Sequence, residues 1–195
     1  GLAACGQQRK PLPHLGPTSV GPDGDTLYHQ VPPFALTDQA GRTVTEETVA
    51  GKVYVADFFF TTCPTICPVM TKEMRRLWQH YQGDERVMFL SHSIDPKHDS
   101  VAVLKQYAQD LGVRGKQWRF LTGEQSKIYR LGKKGYFTPM EQDSAAPGGY
   151  LHSGAFVLVD TARHIRGYFN GTDPHSVDSL MNQALPRLLD EQLPQ

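Results

Sequence analysis

The chain has 195 residues, 39% of them hydrophobic and 21% charged, the composition of one globular domain with short extensions. Lysine plus arginine equal aspartate plus glutamate at 20 each, and no basic stripe interleaved with aromatics is present, which argues against nucleic acid as a partner. No apolar run reaches the roughly 18 residues that a bilayer-spanning helix needs.

At the start, Leu2-Ala3-Ala4-Cys5 looks like the lipobox of bacterial lipoproteins, in which the cysteine is acylated. That pattern implies an extracytoplasmic, periplasmic protein held at a membrane by Cys5, in a compartment where disulfides persist. Residues 6–30 carry Pro11, Pro13, Pro17 and Pro22, show no periodicity, and read as a flexible tether spanning 1–30 ahead of a domain at 31–195. Two short alternating runs around a glycine-containing turn at 34–44 predict a hairpin.

The apolar run 53–60 predicts a buried strand. It leads through Cys63-Pro64-Thr65-Ile66-Cys67-Pro68 into a helix whose apolar face is Met70, Met74, Leu77, Trp78 and Tyr81. The two thiols therefore sit where a strand becomes a helix, and the positive end of that helix favours thiolate. Four-residue spacing puts both on one side, able to close a disulfide or to grip one soft metal ion. The gap is one residue wider than in the thioredoxin redox motif, which leans the reading toward metal. Two small buried thiols, or a plain stabilising disulfide, fit the spacing as well.

Further along, 87–94 predicts a second strand. A helix follows from Asp99 or Ser100, burying Val101, Leu104, Tyr107, Ala108 and Leu111. Residues 118–122 form a third strand, and Thr122-Gly123-Glu124-Gln125 has capping-box spacing for a short helix. The polar, Pro- and Gly-rich stretch 137–150 predicts no element. A fourth strand covers 152–159 and pairs as a hairpin with 165–169. Asp173-Pro174 opens a last helix that Pro186 should bend or shorten. This order predicts an α/β fold: a central mixed sheet with helices on both faces and the cysteines at the carboxyl end of a central strand.

At Phe60-Thr61-x-Cys63-Pro64-x-x-Cys67-Pro68 the sequence resembles the Sco/SenC family of copper-handling proteins. The resemblance continues through Ser93-Ile94-Asp95-Pro96-x-x-Asp99, Leu121-Thr122-Gly123, and His152-Ser153 ahead of Leu158-Val159-Asp160. It implies a thioredoxin-like fold, with Cys63 and Cys67 as copper thiolates and also a redox pair, and His152 as third ligand. The family's part in building the binuclear copper centre of cytochrome oxidase implies that oxidase's subunit II, or another copper protein, as partner. The chain departs from the family at Leu151, where an acidic residue is frequent, and at His98, where arginine is frequent.

Two soft thiolates with one imidazole suit Cu(I) better than Cu(II), which remains possible, while zinc usually takes a fourth ligand that is not evident. Asp95 and His98 are candidates to support the ligands from behind. His14 and His29 belong to the expected tether, His80, His164 and His175 to solvated faces, and His92 to a buried strand as a satisfied core histidine. Met70 and Met74 belong to the core. Two functions fit: a copper metallochaperone, and a thiol-disulfide reductase using the same pair.

Overall fold

Apolar runs without alternation make strands buried on both sides, and these occupy the middle of the structure. The structure, a computed structural model, describes residues 10–195, so Cys5 and the lipobox lie outside the described residues. In chain order β1 (Ser19–Val20) and β2 (Thr26–Leu27) pair with each other, as do β3 (Ala35–Thr37) and β4 (Thr43–Thr45), the hairpin expected near 34–44. β5 (Val53–Phe59) precedes α1 (Ile66–His80), β6 (Val87–Ser93), α2 (Val101–Asp110), β7 (Trp118–Leu121) and α3 (Gln125–Arg130). β8 (Met140–Gln142), β9 (Tyr150–His152), β10 (Ala155–Val159) and β11 (Ile165–Asn170) follow, then α4 (Pro174–Ser179) and α5 (Leu185–Gln192).

The main sheet has five strands in the order β11-β10-β5-β6-β7, with β5, β6 and β7 parallel and β10 antiparallel to both of its neighbours, β5 and β11. All seven residues of β5 and all seven of β6 are buried. Alternation along β5 sends Tyr54 and Phe58 to one face, where they meet Tyr136. Asp57 and Phe59 point to the other, where Phe59 stacks on Tyr107 of α2. α1 lies beside α2 through a 2.8 Å bond between the Thr71 and Tyr107 hydroxyls. Both faces are covered, and the α/β, thioredoxin-like architecture is as expected.

Several local expectations give way. From Lys10 onward the segment expected to be a flexible tether is strapped to the domain. The fully buried Arg166 donates to the Leu12 and Pro13 carbonyls at 2.6 and 3.1 Å, Arg187 donates to Lys10 O at 2.7 Å, and Leu15 N donates to Ile165 O at 2.9 Å. Proline removes donors and periodicity but leaves carbonyls, and distant arginines find them.

The stretch 137–150, read as lacking an element, contains β8, which pairs with β9 in the register Met140↔His152. Its one fully buried apolar side chain is Met140, 1% exposed and pressed on Gly132, too little apolar signal for periodicity to show. His152 therefore ends this ribbon and does not open a strand running to 159, because Ser153 and Gly154 break the chain before β10.

The capping box at Thr122 is unused: Thr122 exchanges backbone bonds with Thr37, and Glu124 stands at the helix start without a side-chain cap. Ser100, not Asp99, caps α2, accepting from Val103 N at 3.3 Å. Pro186 is accommodated by a π-helical turn at Leu180–Ala184, which lets one continuous stretch run from α4 into α5.

Candidate metal centre

β5 ends at Phe59, and the chain reaches α1 through a loop that the buried Asp99 carboxylate holds. Asp99 accepts from Thr61 N at 3.1 Å, from the Thr61 hydroxyl, and from the Ser93 hydroxyl at 2.7 Å, tying the loop to the end of β6. Cys63 N donates to Phe60 O, leaving Cys63 just before the helix and Cys67 in its first turn. Pro68 also lies in that turn, where a missing N–H goes unused. Both cysteines are buried and free.

His152 reaches the thiols from the other side. Its Nε2 lies 2.9 Å from Cys67 Sγ and 4.0 Å from Cys63 Sγ, and the three potential ligand atoms all fall within 4.8 Å of one another. Nδ1 lies 3.2 Å from the Ser153 carbonyl, which can only accept, so that nitrogen carries the proton and Nε2 presents its lone pair to the sulfurs. Burial lowers the pKa of His152, which keeps the ring neutral and able to ligate.

The thiols are unequal. Burial opposes charge on Cys63, but a hydrogen bond with the Cys67 thiol and the backbone N–H groups of Thr65 and Cys67 outweigh it and hold its pKa below the usual thiol range. Cys67 is pushed well up by burial and by its hydrogen bond with Cys63. Beneath them on β5, burial raises Asp57 to about 7, against a weaker opposing bond from Ser91.

Of the supporting candidates, Asp95 accepts from the Tyr150 hydroxyl at 3.0 Å. Tyr150 stands two residues before His152 on β9, so Asp95 holds the ribbon rather than a ligand. His98 is exposed and uses its backbone N–H on Asp95 O. Sequence reasoning missed Tyr150 and Phe60, whose ring lies 5.1 Å from Tyr150 and 5.7 Å, edge-on, from His152. It also missed the bond from Thr61 to Asp99, although both residues sit in the matched motifs.

His92 is a core histidine, its Nδ1 bonded to Asp57 O at 3.0 Å and its ring stacked on Phe58. Met70 and Met74 are fully buried. His80 and His175 are exposed, His29 is fixed by a 2.7 Å bond to Gly135 O, and His14 and His164 lie together away from the thiols. A cavity of about 380 Å³, lined by Thr71, Lys72, Arg75 and Tyr107, opens onto Cys63 and Cys67.

A thioredoxin-like domain with two thiols at the strand-to-helix junction and an imidazole brought in by a separate ribbon has the donors of a soft-metal site and the sulfur pair of a redox site. The family model described as SCO1/SenC matches residues 22–184, and the chain belongs to that family. It is similar to a SCO1/SenC family lipoprotein from Bacillus anthracis, at 28% identity and TM-score 0.75 over 82% of this chain and 95% of that one. BsSco, described as a member of the Sco family of cytochrome c oxidase assembly proteins with a disulfide switch, matches at 31% identity and TM-score 0.69 over 82% and 93% of the two chains. Yeast Sco1 with copper bound matches at 25% identity and TM-score 0.61 over 80% and 89%.

Proposed function

We propose that the protein is an extracytoplasmic Cu(I) metallochaperone that supplies copper for the binuclear centre of cytochrome c oxidase, with subunit II of that enzyme as acceptor. The observation that carries this reading is the convergence of the two sulfurs with the lone pair of a neutral imidazole. Two soft donors and one borderline donor suit Cu(I), and a three-donor set leaves room for an incoming thiolate to displace one ligand at a time. Cys63, the more exposed and more acidic thiol, is the ligand that exchanges first. The copper-bound yeast relative and the oxidase-assembly description of BsSco support the same reading. Acylation at Cys5 places the protein on a membrane surface, a reading supported by the lipoprotein relative. Among the described residues no helix is long and apolar enough to cross a membrane.

A second reading, thiol-disulfide reductase, is favoured by the inequality of the two thiols, since a low-pKa attacking sulfur beside a high-pKa partner is what exchange needs. Reduced protein handled without oxygen is expected to hold one copper per chain. His152→Ala separates the readings: Cu(I) affinity falls by more than about 100-fold, beyond the roughly 10–100-fold loss typical of outer-shell changes, while disulfide exchange persists. Unchanged copper affinity in competition with a Cu(I) chelator removes His152 from the site.

A further inference from the structure

The end of the sheet opposite the thiols carries a second convergence of ligating side chains. β10 runs antiparallel to β5, so the residues that follow Val159 lie at the start of β5, while the thiols lie beyond its end. Five residues of β10, about 17 Å at the usual rise per residue, separate this region from the His152 end. Here His14, Asp160 and His164 place one potential ligand atom each within 4.8 Å of one another. Tetrahedral donors at metal–nitrogen distances of about 2.0 Å stand roughly 3.4 Å apart, so modest side-chain rotation closes the gap.

The surroundings suit a cation. Asp160 is fully buried and held in place: its Oδ1 accepts from the backbone N–H groups of Ala162 and His164, and its Oδ2 from Arg166 at 2.9 Å and Gln192 at 3.2 Å. Arg166 is paired a second time with Glu191 at 2.6 Å, so two carboxylates offset the one guanidinium that bears on His14. The two rings are ordered yet reachable. His14 stacks on Tyr28 with ring centres 3.8 Å apart, and the His164 side chain is 24% exposed.

We propose that His14 and His164, backed by Asp160, form a second cation site that takes a divalent borderline ion, Zn(II) or Cu(II), and staples the N-terminal segment to the domain. The donor set of two imidazoles and a carboxylate selects the divalent ion, whereas the thiol site selects Cu(I). His14 comes from the segment and His164 from the β10–β11 turn, so a shared ion adds a link where Leu15 N already donates to Ile165 O.

The test uses the full chain carrying Cys63→Ser and Cys67→Ser, freed of metal and titrated with Zn(II) by calorimetry. One equivalent is expected to bind, with affinity falling at least tenfold in His14→Asn or His164→Asn and unchanged in His175→Asn. Amide exchange in residues 12–30 is expected to slow when Zn(II) is added. Cu(II) on the same protein should give a paramagnetic resonance spectrum with two imidazole nitrogens. No stoichiometric binding, equal affinity in the histidine variants, or a spectrum without both nitrogens overturns the site. If the double serine protein misfolds, the same titration on wild type with its thiols closed as a disulfide decides it, because that form also lacks the soft site.

Discussion

The two halves of the metal centre are built differently. The sulfurs stand at the junction of a wholly buried strand and a 15-residue helix, in a loop fixed by the Asp99 carboxylate. The imidazole ends a two-stranded ribbon of three residues per strand, outside the main sheet, held by the bond from Tyr150 to Asp95 and by the ring of Phe60. The thiol half belongs to the core and shares its stability, whereas the histidine half has few contacts of its own, the kind of segment from which local opening is expected. On the chaperone reading proposed above, this division would suit ion transfer, with two donors held in the core and the third on a lightly anchored ribbon.

The largest expected effect probes the rigid half through pH. Asp57 titrates near 7 in the folded chain against an ordinary aspartate value of 3.8, so between those values the unfolded chain releases a proton that the folded one keeps, and stability falls as pH rises. His92 is lowered by burial from 6.5 to about 4, so between those values stability falls as pH drops. The two trends oppose, and wild type should vary little from pH 4 to 6.5. Asp57→Asn removes the first trend, on the order of 4 kcal/mol across its window, and exposes the second. Urea unfolding from pH 4.5 to 7.5 should show the variant weakening toward acid, and an unchanged profile sinks the assignment.

Next in size, Asp99→Ala strands the Thr61 and Ser93 donors and should lower stability by about 3 kcal/mol, together with slower recovery of the copper site after unfolding. A melting temperature equal to wild type means that the loop is not held there. Gly148→Ala acts on the ribbon. Gly148 has φ +73°, and an added Cβ lies 2.7 Å from the Phe60 ring, so about 2 kcal/mol of strain falls on the turn between β8 and β9. Faster amide exchange in residues 140–152, with β5 and β6 unchanged, is the expected pattern; exchange rising in all of them denies the independence of the ribbon. The smallest change, Tyr150→Phe, deletes one hydrogen bond, about 1 kcal/mol, and should weaken Cu(I) binding less than tenfold while leaving the melting temperature nearly intact.

The rigid half was also the legible half. Uninterrupted apolar runs marked β5 and β6, helical spacing from Met70 to Tyr81 marked α1, and the junction between them located both thiols, because core packing writes itself into periodicity. The position of His152 came from the family resemblance, but its ribbon did not. β8 and β9 bury one strong apolar side chain, Met140, and pairing by backbone bonds alone leaves no side-chain pattern. The fixing of residues 10–15 was hidden for a similar reason: it depends on carbonyls, which every residue has, and on Arg166 and Arg187, more than 130 positions away. The exchange of Thr122 from cap to bridge reflects pairing with Thr37, a contact 85 residues distant that local spacing does not contain.

Successive side chains on a strand project to opposite sides, and Leu151 and His152 are neighbours on β9. The imidazole faces the sulfurs, while the leucine, 48% exposed, faces outward. Any tilt of the ribbon that withdraws the one must carry the other with it. On the chaperone reading proposed above, the departure of an interior ligand would therefore also shift one exposed apolar side chain at the surface.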